Sequence, residues 1–232
     1  MNLLKNVFSL LLIAQLAVGQ DYATLAQRRA IIKVAPLSLF DYDNTLQLGI
    51  EVPLSKTTNR MSFQQEVGYG HGRFNIWSQG DDFLSNKQTW KFRSQLRFYL
   101  ISKPIARMYL AGEYMFKNVR KWELREVSPC TYGNCYPVVQ QNVHFQKNVT
   151  ALHVKLGWQF YFKNRTTLDL TTGFGLRSPK YRVLTPGVTV DPRYAFGDWW
   201  WTSGGSEGEV TVDPSLAFGV QIGILLGKLP SP

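Results

Sequence analysis

The run TWKFRSQLRFYL, residues 89 to 100, decides the fold. Its even positions carry Trp90, Phe92, Ser94, Leu96, Phe98 and Leu100. The odd positions between them carry Lys91, Arg93, Gln95, Arg97 and Tyr99. Apolar and polar residues alternate with a period of two, the pattern of a β-strand with one apolar and one charged face. A helix would scatter Lys91, Arg93 and Arg97 around its axis. The run is also close to the length of a strand tilted through a bilayer.

The same alternation predicts seven further strands, at 30–40, 44–54, 60–69, 107–117, 150–162, 166–177 and 215–227. Pro36 interrupts the first of them, since proline cannot donate to a ladder. The turns after the second, fourth and sixth strands are tight. The connections after the third, fifth and seventh are long, and both ends of the chain fall on the tight-turn side. Outer-membrane barrels have this asymmetry, with short periplasmic turns and long outer loops.

Ahead of the strands stands an expected export signal. Lys5 gives it a positive start, Val7 to Leu16 an apolar stretch, and Ala17-Val18-Gly19 a small-residue cleavage site after Gly19. This divides the chain into a signal peptide, 1–19, and one barrel domain, 20–232. No cysteine follows the cleavage site, which excludes a lipoprotein. The formal net charge is +10. In an exported chain that excess points to anionic lipid headgroups or a basic lumen rather than to nucleic acid.

Alternation alone does not say which face looks inward. Glycines crowd the polar face, at 49, 68, 157, 173, 175, 219 and 223. The apolar face carries large rings, among them Trp90, Phe92, Phe98, Tyr114, Phe116, Trp158 and Phe160. The interior of an eight-stranded barrel is only wide enough for side chains. Small residues therefore belong inside and rings outside, against lipid. The expected fold is an all-β, eight-stranded, antiparallel up-and-down transmembrane β-barrel. A soluble lipocalin-like barrel, with the apolar face inside, is the alternative.

The signal, the eight strands and the loop asymmetry resemble the small outer-membrane barrels, the OmpA transmembrane domain, OmpX and OmpW. The phrasing IIKVAPLSLF and NTLQLGIEV in the first two strands resembles uncharacterised barrel families of the Bacteroidetes outer membrane. The resemblance implies a location in the bacterial outer membrane, with outer-membrane lipid as the surrounding partner.

Acids and bases mix on the inner face. Glu66, Arg93, Glu113 and Lys155 fall at about one height on neighbouring strands, with Arg97 and Asp169 on the same face. Charges taken out of water must pair, so these six residues are expected to form a network that plugs the lumen. Cys130 and Cys135, close together in the loop after the fifth strand, are expected to form a local disulfide in an oxidising compartment. Trp199, Trp200 and Trp201 sit in the longest loop. They are either a binding surface or rings packed on the barrel rim or in the membrane interface. The three histidines, His71, His144 and His153, stand in no recognisable catalytic spacing with serine and acid. No metal set and no cofactor motif is present. The expected function is structural or surface-interactive, with another envelope protein or a surface ligand as partner. A small-solute pore and a lipid-modifying enzyme are the alternatives.

Overall fold

The computed structural model describes residues 29–39, 44–54, 60–72, 86–103, 105–127, 130–131, 134–135, 139–162, 165–188, 190, 194–196 and 211–227. The expected signal segment lies outside these residues. The chain runs through β1 (Ile31–Val34), β2 (Leu46–Pro53), β3 (Met61–His71), β4 (Lys87–Ser102) and β5 (Ala106–Val127). Two short strands follow, β6 (Cys130–Thr131) and β7 (Asn134–Cys135). Then come β8 (Val139–Tyr161), β9 (Thr166–Val183) and β10 (Asp213–Leu225). Apart from the separate β6–β7 pair, the strands close into an eight-stranded antiparallel barrel in the order β1-β10-β9-β8-β5-β4-β3-β2.

The decisive run lies within β4 with the expected parity. Lys91, Gln95 and Arg97 are buried inside, while Trp90, Phe92, Leu96 and Phe98 are exposed on the outer surface. The other strands obey the same rule. Leu46, Leu48, Ile50, Phe63, Val67, Leu110, Leu152, Val154, Leu170 and Ile222 face out; Gln47, Glu51, Gln64, Glu66, Glu113, Lys155, Asp169 and Gln221 face in. The outer wall is thus an apolar belt and the interior is polar, the reverse of a soluble barrel.

Glycine makes the interior fit. Gly157 faces the Tyr109 ring, and a Cβ there would lie 2.2 Å from Tyr109 Cζ. Tyr109 is completely buried because its neighbour has no side chain. Gly49 makes the same room for Glu66, whose Cγ would meet its Cβ at 2.8 Å.

Four strands differ in extent from the sequence reading. β5 and β8 are 22 and 23 residues long, and their ladder continues past Lys117↔Val149 to Val127↔Val139. Beyond Lys117 the pattern changes phase. Val119, Val143, Phe145 and Tyr181 now lie inside, in an apolar cluster with Ala195 and Phe196, while Asn118, Arg120, Gln146 and Asn148 take the outward positions. In β5 the change is brief, for Lys121 is again buried inside and Trp122 and Leu124 are exposed outside. A reading that follows one phase stops where the phase inverts, although the strands do not. β9 likewise runs on to Val183, into what reads as loop. At the other extreme β1 keeps only four residues. Pro36 ends it, and residues Pro36–Leu39 form a 3-10 turn instead.

Adding a methyl group at Gly157 is therefore expected to be costly. Gly157→Ala should lower the unfolding midpoint in urea, at about 1–3 kcal/mol for an overpacked interior. Gly112→Ala, on the outer wall with no atom within 4 Å of the added Cβ, should leave the midpoint unchanged. Equal midpoints for the two variants would contradict the Tyr109–Gly157 fit.

Candidate functional site

The lumen holds two layers of charge. In the lower layer Lys33, Glu51, Arg97 and Asp169 are all buried. Asp169 Oδ2 lies 2.5 Å from both Lys33 Nζ and Arg97 Nη1, and Glu51 Oε2 lies 2.5 Å from Lys33 Nζ and 3.2 Å from Arg97 Nη1. Tyr109 Oη donates to Asp169 Oδ1 at 2.5 Å, and Gln159 Nε2 donates to Glu51 Oε2 at 3.0 Å. Ser62 and Tyr99 donate to the other oxygen of Glu51. Two cations and two carboxylates thus neutralise each other, Lys33 and Glu51 on adjacent strands and the other pairs across the barrel. β1 and β9, like β2 and β4, are separated by a strand.

Above it, Lys155 Nζ lies 2.5 Å from Glu113 Oε2, which also accepts from Gln95 Nε2 at 2.6 Å. Glu66 Oε1 accepts from Gln64 Nε2 at 2.5 Å and Gln221 Nε2 at 2.7 Å. Lys33 reaches up to Gln64, and Arg97 to Gln95, so the layers are one network.

Of the six charges expected in the lumen, Arg97, Asp169, Glu113 and Lys155 are held by short contacts. Arg93 and Glu66 face each other in register but stand 3.8 Å apart, a loose pair. Lys33 and Glu51 belong to the tightest layer. They are missed by an argument from equal height on neighbouring strands, because besides each other their partners, Asp169 for Lys33 and Arg97 for Glu51, are two strands away.

Higher in the barrel the filling stops. A cavity of about 490 Å³ opens there, with Lys91, Arg93, Lys117, Lys147, Lys155 and Arg177 on its walls. Among the described residues three carboxylates stand near these six cations: Glu66, Glu113, and Asp213 in register opposite Arg177. The cavity is therefore cationic. Its roof is the apolar cluster around Phe145, Tyr181 and Phe196. Lys121 Nζ ties the roof down by donating to Ala195 O at 2.9 Å. Burial pushes the Lys121 amine down to about 8, against the opposing pull of Glu123. Ala195 and Phe196 thus pack onto the barrel, while Trp199, Trp200 and Trp201 lie outside the described residues. The backbone places Cys130 opposite Cys135 in the β6–β7 pair.

The wall of this cavity carries a constellation that sequence reasoning did not find. Ser215, Gly175, His153 and Glu113 occupy one row across β10, β9, β8 and β5. His153 Nε2 lies 3.0 Å from Ser215 Oγ, and His153 Nδ1 lies 3.2 Å from Glu113 Oε1. Gly175 makes the meeting possible: a Cβ there would stand 2.8 Å from His153 Cδ2. The residues are 40 and 62 positions apart in the chain. Only the register joins them, so no local motif could have revealed them. Among the described residues no cluster of metal-binding side chains occurs.

Removing one member of the lower layer leaves buried charge without a partner. Asp169→Ala leaves Glu51 alone to balance both Lys33 and Arg97 and should cost about 3–5 kcal/mol in urea unfolding. Arg93→Ala breaks only the long, partly solvated pair and should cost no more than about 1 kcal/mol. The reverse order would contradict the assignment of the tight layer.

Comparison with known proteins returns one family. The family model described as protein of unknown function (DUF3575) matches residues 8–195. No curated protein and no solved structure matches the chain. The match spans most of the chain, and the protein belongs to the DUF3575 family.

Proposed function

We propose that this protein is a bacterial outer-membrane barrel whose lumen is closed to free diffusion, serving the envelope as a lipid-embedded scaffold for its long outer connections. One observation carries the reading: an apolar belt faces outward around a ring whose interior is filled by paired charge. Water is a poor neighbour for a surface of Trp90, Phe92, Phe98, Leu152 and Phe174, and hydrocarbon is a good one. The upper part of β8 supports the same reading, since its outward positions there are Asn142, His144, Gln146 and Asn148, polar where a strand would leave the bilayer. A small-solute pore is disfavoured by the neutral quartet of Lys33, Glu51, Arg97 and Asp169, which occupies the cross-section. The register of Cys130 and Cys135 supports a disulfide in the outer hairpin, to be checked by thiol alkylation before and after reduction. Surface contacts with another envelope protein or a ligand are assigned to the outer loops, including Trp199 to Trp201, because rigid scaffolds commonly carry function there.

The lipid-facing assignment is tested by a pair of adjacent substitutions. Leu110 points outward and Ala111 inward. Leu110→Arg should block insertion into lipid vesicles, at about 2–4 kcal/mol for an arginine at mid-depth, while Ala111→Ser should insert like the parent. In planar bilayers the parent should give no porin-sized conductance steps. Equal insertion of both variants would contradict the membrane reading, and large steps would contradict the closed lumen.

A further inference from the structure

We infer that Ser215, His153 and Glu113 form a serine-hydrolase site inside the barrel, acting on carboxylic esters of anionic amphiphiles. The geometry has the order such chemistry needs. Glu113 accepts the Nδ1 proton of His153, which leaves the Nε2 lone pair toward the Ser215 hydroxyl. Lys155 and Gln95 hold the Glu113 carboxylate in place. Ser215 is half-buried and lines the cavity beside His153, so its oxygen is accessible from that space.

A backbone donor stands beside it. β10 pairs with β1 only through Ile222 to Leu225. Leu226 donates its N–H toward that side, to Ala30 O. Alternate residues of a strand direct their N–H to the same side, so the Leu216 N–H also points there, where β1 has already ended. The amide of the residue after the nucleophile is a common donor to the oxyanion of acyl transfer.

The same short strand opens a way in. Beyond Val34 the Pro36–Leu39 turn lies beside β10 but is tied to β2. Ser38 Oγ donates to Thr45 O at 2.6 Å, Thr45 N donates to Ser38 O at 3.0 Å, and Ala35 N donates to Gln47 O at 3.2 Å. Among the described residues no ladder joins the turn to β10. The cavity reaches this seam and is lined there by Leu37, Leu216, Phe218 and Val220. Leu216 and Phe218 are 75% and 70% exposed, far more than Phe92 at 39%, because among the described residues only β9 flanks them and their other side has no strand. An acyl chain fits the apolar seam, and an anionic headgroup fits the cationic cavity behind it. This choice of substrate rests on the membrane reading above; the triad itself does not.

The reaction balances with water as the only co-reactant. Ser215 Oγ attacks the ester carbonyl carbon while His153 Nε2 takes its proton. The tetrahedral oxyanion collapses, the carbon–alkoxy bond breaks, and the imidazolium proton leaves with the alcohol. Water then attacks the acyl-serine, giving a proton to His153. The new tetrahedral centre releases the carboxylic acid, and the proton returns to Ser215 Oγ.

The test uses the full chain refolded in detergent, with folding followed by heat-modifiable gel mobility. A long-chain alkyl fluorophosphonate should label Ser215, located by peptide mass spectrometry, and Ser215→Ala should fold but take no label. Hydrolysis of p-nitrophenyl decanoate should fall by about 10³-fold or more in Ser215→Ala and in His153→Gln. Absence of label at Ser215 in folded protein, or unchanged hydrolysis in Ser215→Ala, would overturn the site. In mixed micelles phosphatidylglycerol should be cleaved at least about tenfold faster than phosphatidylcholine, and equal rates would overturn the choice of an anionic substrate. A barrel that labels in detergent but fails to enter vesicles would uphold the triad and count only against the membrane reading.

Discussion

The interior of an eight-stranded ring has room for side chains and little else, and this protein fills the lower half of it with charge. Lys33, Glu51, Arg97 and Asp169 meet there out of contact with water. Desolvating four charges is expensive, and their mutual attraction offsets the cost only when each has its partners in place. The quartet therefore specifies the structure more than it stabilises it. A register slip of one residue would turn these groups outward, into the apolar belt, and bring leucine and phenylalanine inside. The charges fix which face is which, and the tyrosines and glutamines around them take up the remaining hydrogen bonds.

Closing the lower lumen leaves the upper lumen available for other uses. The glycines at 173, 175 and 219 make room on the wall of β9 and β10 for Lys155, His153 and Thr171, and these three side chains line the cavity. Among the described residues its walls carry six cations and fewer carboxylates, whereas the layer below holds two of each. The early end of β1 at Pro36 adds the seam. One departure from regular strand structure thus sets the position of the seam beside the cavity and leaves the Leu216 amide facing no β1 residue.

Much of the architecture was legible in the sequence because β-structure writes itself with a period of two. Residues 89 to 100 alone separate Trp90, Phe92 and Phe98 from Lys91, Gln95 and Arg97, and the ring obeys that division. The placement of glycine against the polar face also identified the inside correctly, as Tyr109 filling the space left by Gly157 makes plain. The ends of β5, β8 and β9 were not legible, because Val119, Phe145 and Tyr181 put apolar side chains on the inner face, against the alternation of the strands below. Nor was the chemistry. Lys33 finds Asp169 at a separation of 136 residues, and Ser215 finds His153 across Gly175. Such meetings depend on register and ring closure, which alternation does not encode.

The central claim is that the apolar face of each strand meets lipid and the polar face meets the lumen. The most direct measurement places a nitroxide label at each position in turn from Ala151 to Phe160 in β8 and records its collision rate with oxygen and with a water-soluble nickel chelate in lipid vesicles. The account predicts strict alternation. Labels at 152, 154, 156, 158 and 160 should meet oxygen dissolved in hydrocarbon, while those at 151, 153, 155, 157 and 159 should be shielded from it. Uniform exposure to the nickel chelate at the even positions, or the opposite alternation, would contradict the account.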